Sequence, residues 1–95
     1  VSMNTTKHLT INDFKFINQF SNQQLNGIVL INQSDSNTIS NNYIDLGSTY
    51  PYSFYAKGGI NANSTSYLTI TGNEIIGGYF SISVSGPNTT NLSQN

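Results

Sequence analysis

The apolar stretch Ile28-Val29-Leu30-Ile31 decides the fold that this sequence predicts. It is the longest uninterrupted apolar run in the chain, and its length suits a strand better than a helix. A run without polar alternation is typical of a strand that is buried on both faces. Such a strand needs cover on both sides, which excludes a single-layer sheet. The run therefore predicts two layers of β-structure.

Downstream of this run, Gly72-Asn73 has the character of a two-residue turn between two strand-like segments, Tyr67–Thr71 and Glu74–Ser85. Both turn residues tolerate a positive φ, which the tight turns of antiparallel hairpins require. The hairpin register would place Ile70 opposite Ile75. This segment therefore predicts an antiparallel hairpin.

Upstream of the run, apolar residues alternate with polar ones. Leu9 and Ile11 share one face of a first strand, and the alternation resumes with Phe14 and Phe16 after a break at Asn12-Asp13. A β-bulge at the break would return both pairs to one side of the strand. We therefore expect one apolar face on the first strand.

The whole chain has the pattern of a β-protein. No stretch shows a 3.6-residue apolar stripe, and no internal repeat of fixed period is evident. Strand-like segments separated by Gly/Asn turns at intervals of roughly 8–12 residues are typical of an antiparallel sandwich. We therefore expect an all-β fold, a small antiparallel β-sandwich or jelly roll of about six to seven strands with little or no helix. The expected domain spans residues 7–86, between a polar N-terminal leader (1–6) and a polar C-terminal tail (87–95).

The composition is dominated by neutral polar side chains. Forty-three of the 95 residues are Asn, Gln, Ser or Thr, whereas three are Lys or Arg and four are Asp or Glu. With a net charge of −1, the chain lacks the basic residues that bind nucleic-acid phosphates or anionic membrane surfaces. No apolar run approaches the roughly 20 residues that span a bilayer. We therefore expect no nucleic-acid partner and no membrane span.

The scarcity of charge favours an extracellular, cell-surface or virion-surface location, because charged residues usually supply about a quarter of a chain. Val1 is not an ordinary initiator, and we favour a cleaved signal peptide over an internal fragment. The absence of cysteine leaves the redox compartment open.

Catalytic and metal-binding groups are few. A glycosidase needs two carboxyl groups at a fixed separation, but most acidic residues fall in predicted turns or bulges. A calcium site takes about six to eight oxygen ligands, and Asp35-Ser36-Asn37 supplies one carboxylate, so we interpret it as Asx turns. We therefore expect no enzyme activity, no metal site and no cofactor. The titratable groups weighed for these roles are Asp13, Asp35, Asp45, Glu74 and His8.

Five Asn-X-Ser/Thr sequons occur, all in predicted loops or tails, where a glycan can be accommodated. The Asn, Ser and Thr content alone predicts nearly this number, so the count itself is not informative. The possible N-glycosylation sites are Asn4, Asn32, Asn63, Asn88 and Asn91.

The leading hypothesis is a non-enzymatic structural subunit that self-assembles into an extracellular filament or a surface or virion appendage. Low charge keeps the repulsion between copies small, and neutral amides and hydroxyls hydrogen-bond without desolvating ions. The first strand could insert into the sheet of the next subunit, adding main-chain hydrogen bonds. We therefore expect a homo-oligomer or polymer whose subunit interface contains Leu9, Ile11, Phe14 and Phe16.

The alternative hypothesis is a carbohydrate-binding or adhesion module that uses a tyrosine-rich strand. Tyrosine rings present an apolar face together with a hydroxyl that hydrogen-bonds, which suits stacking on sugar rings. Glycans would then be the partners, although the chain has no Trp. The possible ligand platform comprises Tyr50, Tyr52, Phe54 and Tyr55.

Overall fold

The computed structural model describes residues 1–17, 26–47, 58–78, 80–86 and 90–95. These residues form eleven β-strands and no helix. All eight strand pairs among them are parallel. The strands are β1 Ser2–Asn4, β2 Thr10–Asn12, β3 Lys15–Ile17, β4 Asn26–Ile31, β5 Thr38–Ser40, β6 Tyr43–Asp45, β7 Gly58–Asn63, β8 Thr69–Thr71, β9 Glu74–Ile76, β10 Phe80–Ser85 and β11 Asn91–Ser93.

The strands build three parallel sheets in which every third strand of the chain is a neighbour. The first sheet has the order β1-β4-β7-β10, the second β2-β5-β8-β11 and the third β3-β6-β9. Successive strands therefore pass from sheet to sheet, and each circuit of the chain is one coil. Coil 1 comprises β1 to β3, coil 2 β4 to β6, coil 3 β7 to β9, and coil 4 β10 and β11. This arrangement is a parallel β-helix.

The prediction of an antiparallel sandwich or jelly roll is wrong. The expected hairpin at Gly72-Asn73 does not form, because β8 and β9 belong to different sheets. Thr71 pairs with Ser40 of the preceding coil, and Glu74 pairs with Tyr43 of the same preceding coil. The chain turns a corner at Gly72-Asn73 and does not reverse its direction.

One residue with a positive φ marks this corner in every coil. Gly72 has a φ of 67°, which is the left-handed conformation that glycine adopts at little cost. The break at Asn12-Asp13, expected to be a bulge, is the same corner in coil 1. The corner residues and their φ angles are Asp13 (60°), Asn41 (55°), Gly72 (67°) and Gln94 (57°).

The internal repeat escaped detection because the coils differ in length. Ile11, Ile39, Ile70 and Leu92 stack in register from coil to coil, yet they are 28, 31 and 22 residues apart, as are the hydrogen-bonded groups around them. The variation comes from the connection that leads from the third sheet back to the first. That connection is longest between β6 and β7 and shortest between β9 and β10.

Apolar side chains that point into the coils form a stacked core. The run that opened the sequence analysis lies in β4, where Ile28 and Leu30 are fully buried while Val29 and Ile31 are only half-buried. The expectation that this run is buried on both faces is therefore wrong, since its outer face is part of the surface. The buried hydrophobic residues are Met3, Ile11, Ile28, Leu30, Ile39, Ile44, Leu46, Ile60, Ala62, Leu68 and Ile70.

Both segments that were expected to be polar extensions contribute a strand. Ser2–Asn4, in the expected leader, pairs with Val29, Leu30 and Ile31. Asn91–Ser93, in the expected tail, pairs with β8. Both segments therefore belong to the β-helix.

The alternation along β4 gives a direct test of the fold. Replacing Leu30 by Ala should lower the free energy of unfolding by about 2–5 kcal/mol, because the side chain leaves a cavity between coils. Replacing Val29, one position away, by Thr should change it by about 0.5 kcal/mol or less, since this side chain lies on the outer face. Urea denaturation of both variants measures the difference. Equal losses would contradict the inward and outward assignment.

Candidate functional site

A row of asparagines follows the positive-φ corner between the second and third sheets. We call Asn42, Asn73 and Asn95 the asparagine ladder, because they occupy the same corner position in coils 2, 3 and 4. Asn42 and Asn73 are 1% and 2% exposed. A buried amide is tolerated only when its donor and acceptor are both satisfied. The ladder meets this requirement by binding the backbone of the neighbouring coil.

Each ladder side chain reaches back to the preceding coil and makes two bonds there. The Oδ1 of Asn42 accepts the N–H of Phe14 at 3.0 Å, and its Nδ2 donates to the carbonyl of Ile11 at 3.1 Å. In the next coil, Asn73 accepts the N–H of Asn42 at 2.9 Å and donates to the carbonyl of Ile39 at 3.0 Å. The two coils thus use the same geometry.

The ladder continues to Asn95 in the same manner. Its Oδ1 accepts the N–H of Asn73 at 3.2 Å, and its Nδ2 donates to the carbonyl of Ile70 at 2.9 Å. The amides also bond to one another, since Asn42 Nδ2 donates to Asn73 Oδ1 at 2.9 Å and Asn73 Nδ2 to Asn95 Oδ1 at 2.8 Å. Chains of hydrogen-bonded amides polarise one another and strengthen each bond.

A second polar stack joins coils 1 and 2 at the corner between the first and second sheets. Asn37 Oδ1 accepts the N–H of Leu9 at 2.9 Å, and its Nδ2 donates to the carbonyls of Thr6 and Ser34 at 2.8 and 2.9 Å. The hydroxyl of Ser34 donates to the carbonyl of Met3 at 3.2 Å. Asn37, one of the three residues considered above as calcium ligands, therefore uses its side chain to hold backbone.

The acidic residues near these corners also bind main-chain N–H groups. Asp35 Oδ1 accepts the N–H of Ser66 at 2.7 Å, and Asp45 Oδ1 accepts the N–H of Gly47 at 2.9 Å. In the part of the chain that the structure describes, no group of three or more His, Cys, Asp or Glu residues could hold a metal ion. The side-chain oxygens of both aspartates thus serve the fold.

An open cleft of about 360 Å³ lies beside coils 1 and 2, between the first and third sheets. Its walls combine apolar side chains, such as Phe16 and Ile44, with the charged side chains of Lys15 and Asp45. Asp45 is the single carboxylate residue among its described lining residues. A carboxylate pair suited to glycoside hydrolysis is therefore not present in this lining.

The four expected interface residues all lie in coil 1 or its corners, but they differ in exposure. Leu9 is 42% and Phe14 58% exposed, whereas Ile11 is 6% exposed and belongs to the core. Phe16 is partly buried against the core, with its ring centroid 6.0 Å from that of Phe14. Leu9 and Phe14 are therefore the most exposed members of the set.

The described sequon asparagines are exposed, as accommodation of a glycan requires. Asn4 and Asn63 end strands of the first sheet, where they pair with Ile31 and Ser85 respectively. Asn32 Nδ2 donates to Asn4 Oδ1 at 2.9 Å, and a glycan on Asn32 would replace one of the two hydrogens of this nitrogen. Asn91 is exposed in β11, and Asn88 lies outside the described residues.

The tyrosine-rich platform of Tyr50, Tyr52, Phe54 and Tyr55 also lies outside the described residues.

The ladder was missed by the sequence analysis although a signal for it exists. Each ladder asparagine ends a five-residue segment whose second residue is the inward-stacked Ile or its Leu92 equivalent: Thr38–Asn42, Thr69–Asn73 and Asn91–Asn95. The matching segment of coil 1, Thr10–Phe14, has the same pattern but ends in Phe. Comparing these short segments, without a fixed period, reveals the repeat.

No family model matches this chain, and no curated protein or solved structure is significantly similar to it. Among the described residues, no helix is long and apolar enough to cross a membrane.

The central rung of the ladder should be important for stability. Replacing Asn73 by Leu removes the acceptor for the buried N–H of Asn42, and an unsatisfied buried donor costs about 1–3 kcal/mol. We expect a loss of at least this size in the free energy of unfolding, measured by urea denaturation. Asn63→Leu is the matched control, because Asn63 is exposed, and it should cost about 0.5 kcal/mol or less. Similar losses for the two variants would show that the ladder does not stabilise the coils.

Proposed function

We propose that this chain is a non-enzymatic structural subunit that self-associates through the edge of coil 1, as part of an extracellular filament or a surface or virion appendage. The observation that carries the proposal is the combination, on that edge, of strands that pair on one side only among the described residues and of exposed apolar side chains. We call this surface the coil 1 edge; it comprises the free sides of β1, β2 and β3 with Leu9 and Phe14.

The backbone of the coil 1 edge is available for pairing. In a parallel ladder, alternate residues of a strand bond to the neighbour on one side. The N–H of Thr38 donates to the carbonyl of Leu9 at 2.9 Å, and the N–H of Asp13 donates to Ser40 at 3.3 Å. The main-chain groups of Thr10 and Asn12 therefore point away from β5. Edge strands of this kind pair readily with another chain.

The side chains of the coil 1 edge are exposed where their equivalents in later coils are covered. Leu9 is 42% exposed, whereas Asn37 and Leu68, at the same position of coils 2 and 3, are each 1% exposed. Phe14 is 58% exposed, against 1% for Asn42. In repeat proteins, a coil edge that faces water usually carries polar side chains. An apolar rim favours contact with another protein surface instead.

The charge of the chain supports association between identical copies. The net charge is −1 with seven charged residues in all, so two copies repel each other weakly. Because β1 pairs with β4 of its own chain, the proposal is pairing between edges, and strand exchange is not required. The carbohydrate-binding alternative stays a prediction, since no described residue adds support to it.

The molecule measures 33 × 24 × 19 Å, which limits the area of such a contact. Its largest outline is about the 800 Å² per partner of a standard interface. We therefore expect an interface of at most standard size, and self-association is best followed by light scattering and sedimentation up to high protein concentration, with electron microscopy of concentrated samples.

Proline on the free side of β2 tests the proposal. Thr10→Pro removes an N–H that points away from β5, and proline is tolerated on edge strands. The association constant should fall by at least about tenfold, equivalent to 1.4 kcal/mol, while Thr10→Val, which keeps the N–H, should associate like the parent chain. Circular dichroism checks that both variants fold. A parent chain that is monomeric at every concentration, or equal association of the two variants, would refute the proposal.

A further inference from the structure

Phe14 occupies the corner position at which coils 2, 3 and 4 have a ladder asparagine. A ladder side chain hydrogen-bonds to the backbone of the coil that precedes it: Asn42 bonds to Phe14 and Ile11 of coil 1. Phe14 has no side-chain donor or acceptor with which to make such bonds to another coil. The coil 1 edge therefore cannot extend the ladder across an interface.

The presence of Phe14 in place of a ladder asparagine disfavours head-to-tail stacking of copies. In that arrangement the coil 1 edge of one copy would cover coil 4 of the next, with Phe14 above Asn95. The N–H of Asn95 would then be covered without the amide oxygen that Asn42 and Asn73 receive from the following coil. A covered, unpaired N–H costs free energy comparable to a lost hydrogen bond. A phenyl ring would also have to fit a slot that elsewhere holds an asparagine.

Pairing of two coil 1 edges avoids both problems. A twofold axis through Ile11 runs the two β2 strands antiparallel, so Thr10 of one copy lies opposite Asn12 of the other. Their outward main-chain groups can then exchange both hydrogen bonds. In this register Phe14 of one copy lies beside His8 and Leu9 of the other. Two exposed apolar side chains thereby cover each other on each side of the axis.

We infer that the coil 1 edge binds the coil 1 edge of a second copy about a twofold axis, with Leu9 packed near Phe14 of the other copy. This inference rests on the proposed function and specifies its partner. A twofold interface uses the same patch on both subunits and closes as a dimer. A longer fibre then needs a second contact, at the opposite ends of the two molecules.

Because the chain has no cysteine, two introduced thiols separate the two arrangements. Thr10→Cys places a thiol on the exposed outer face of β2, and Asn91→Cys places one at the stacked position in β11. In the twofold dimer, the two thiols introduced by Thr10→Cys lie at a diagonal cross-strand distance of about 7–8 Å. In a head-to-tail stack, positions 10 and 91 are neighbours at about 4.8 Å, and two positions 10 are four coils, roughly 19 Å, apart.

The experiment mixes the two variants, one of them isotopically labelled, at a concentration at which the parent chain associates. A short bismaleimide is added, and the products are identified by mass spectrometry. We expect the Thr10→Cys homodimer as the main product, at least tenfold above the mixed product. Asn63→Cys, an exposed position in coil 3, sets the background from random collisions.

The outcomes separate the inference from the proposal on which it rests. A mixed product without the Thr10→Cys homodimer would overturn the twofold arrangement but keep self-association. Oligomers in solution with neither product above background would also overturn it. A monomer by light scattering with neither product would overturn both the inference and the proposed function.

Phe14→Asn in the Thr10→Cys background tests whether the missing amide at position 14 is what prevents head-to-tail stacking. An asparagine at this position could accept the N–H of Asn95 of a stacked copy. The yield of the mixed product with Asn91→Cys should therefore rise and that of the homodimer should fall, each at least tenfold. Phe14→Leu, which stays apolar and offers no acceptor, should retain the homodimer. An unchanged product ratio in the Asn variant would overturn the role assigned to Phe14.

Discussion

The bond between a corner asparagine and the backbone of the preceding coil is the interaction on which this structure depends. Most strands are only three residues long, so a large share of each coil is corner rather than sheet. Corner N–H and carbonyl groups have no sheet partner, and buried backbone groups must be paired. Asn42 and Asn73 solve this by giving one acceptor and one donor to the coil below. The ladder therefore satisfies backbone hydrogen-bonding groups at the corners, as strand pairing satisfies them along the sheets.

The composition of the chain follows from the same stacking. In a parallel β-helix, equivalent positions lie about 4.8 Å apart, so a charged residue repeated from coil to coil would repel its copy. Neutral side chains can repeat without this penalty, and an amide can also bond to the next amide, as Asn42 bonds to Asn73. Where charge does occur, the residues of a row differ: Lys15 stacks with Tyr43, with its Nζ 5.3 Å from the ring centroid, and Tyr43 is followed by Glu74. The abundance of Asn, Ser and Thr is thus a consequence of the fold.

The sequence alone could predict β-structure without helix in the described ranges, but not the direction of strand pairing. Alternation at Leu9 and Ile11 reports only that one face is buried, and it is the same for parallel and antiparallel neighbours. Gly72-Asn73 shows why the turn signals misled: a positive φ at one residue fits a corner as well as a hairpin. Deciding between them needs the location of the partner strand, about 30 residues away, which no local pattern contains.

The interface expected at Leu9, Ile11, Phe14 and Phe16 stays a prediction. The alternation from which it was drawn could not separate core side chains such as Ile11 from exposed ones such as Leu9. That separation depends on whether a following or preceding coil covers the side chain, as the difference in exposure between Leu9 and Leu68 shows. The ladder gives the coils a direction, since each amide bonds to the backbone of the coil before it. A β-helix held in this way has two chemically different edges, because the coil 1 edge carries the exposed ring of Phe14 where the later coils carry a ladder asparagine.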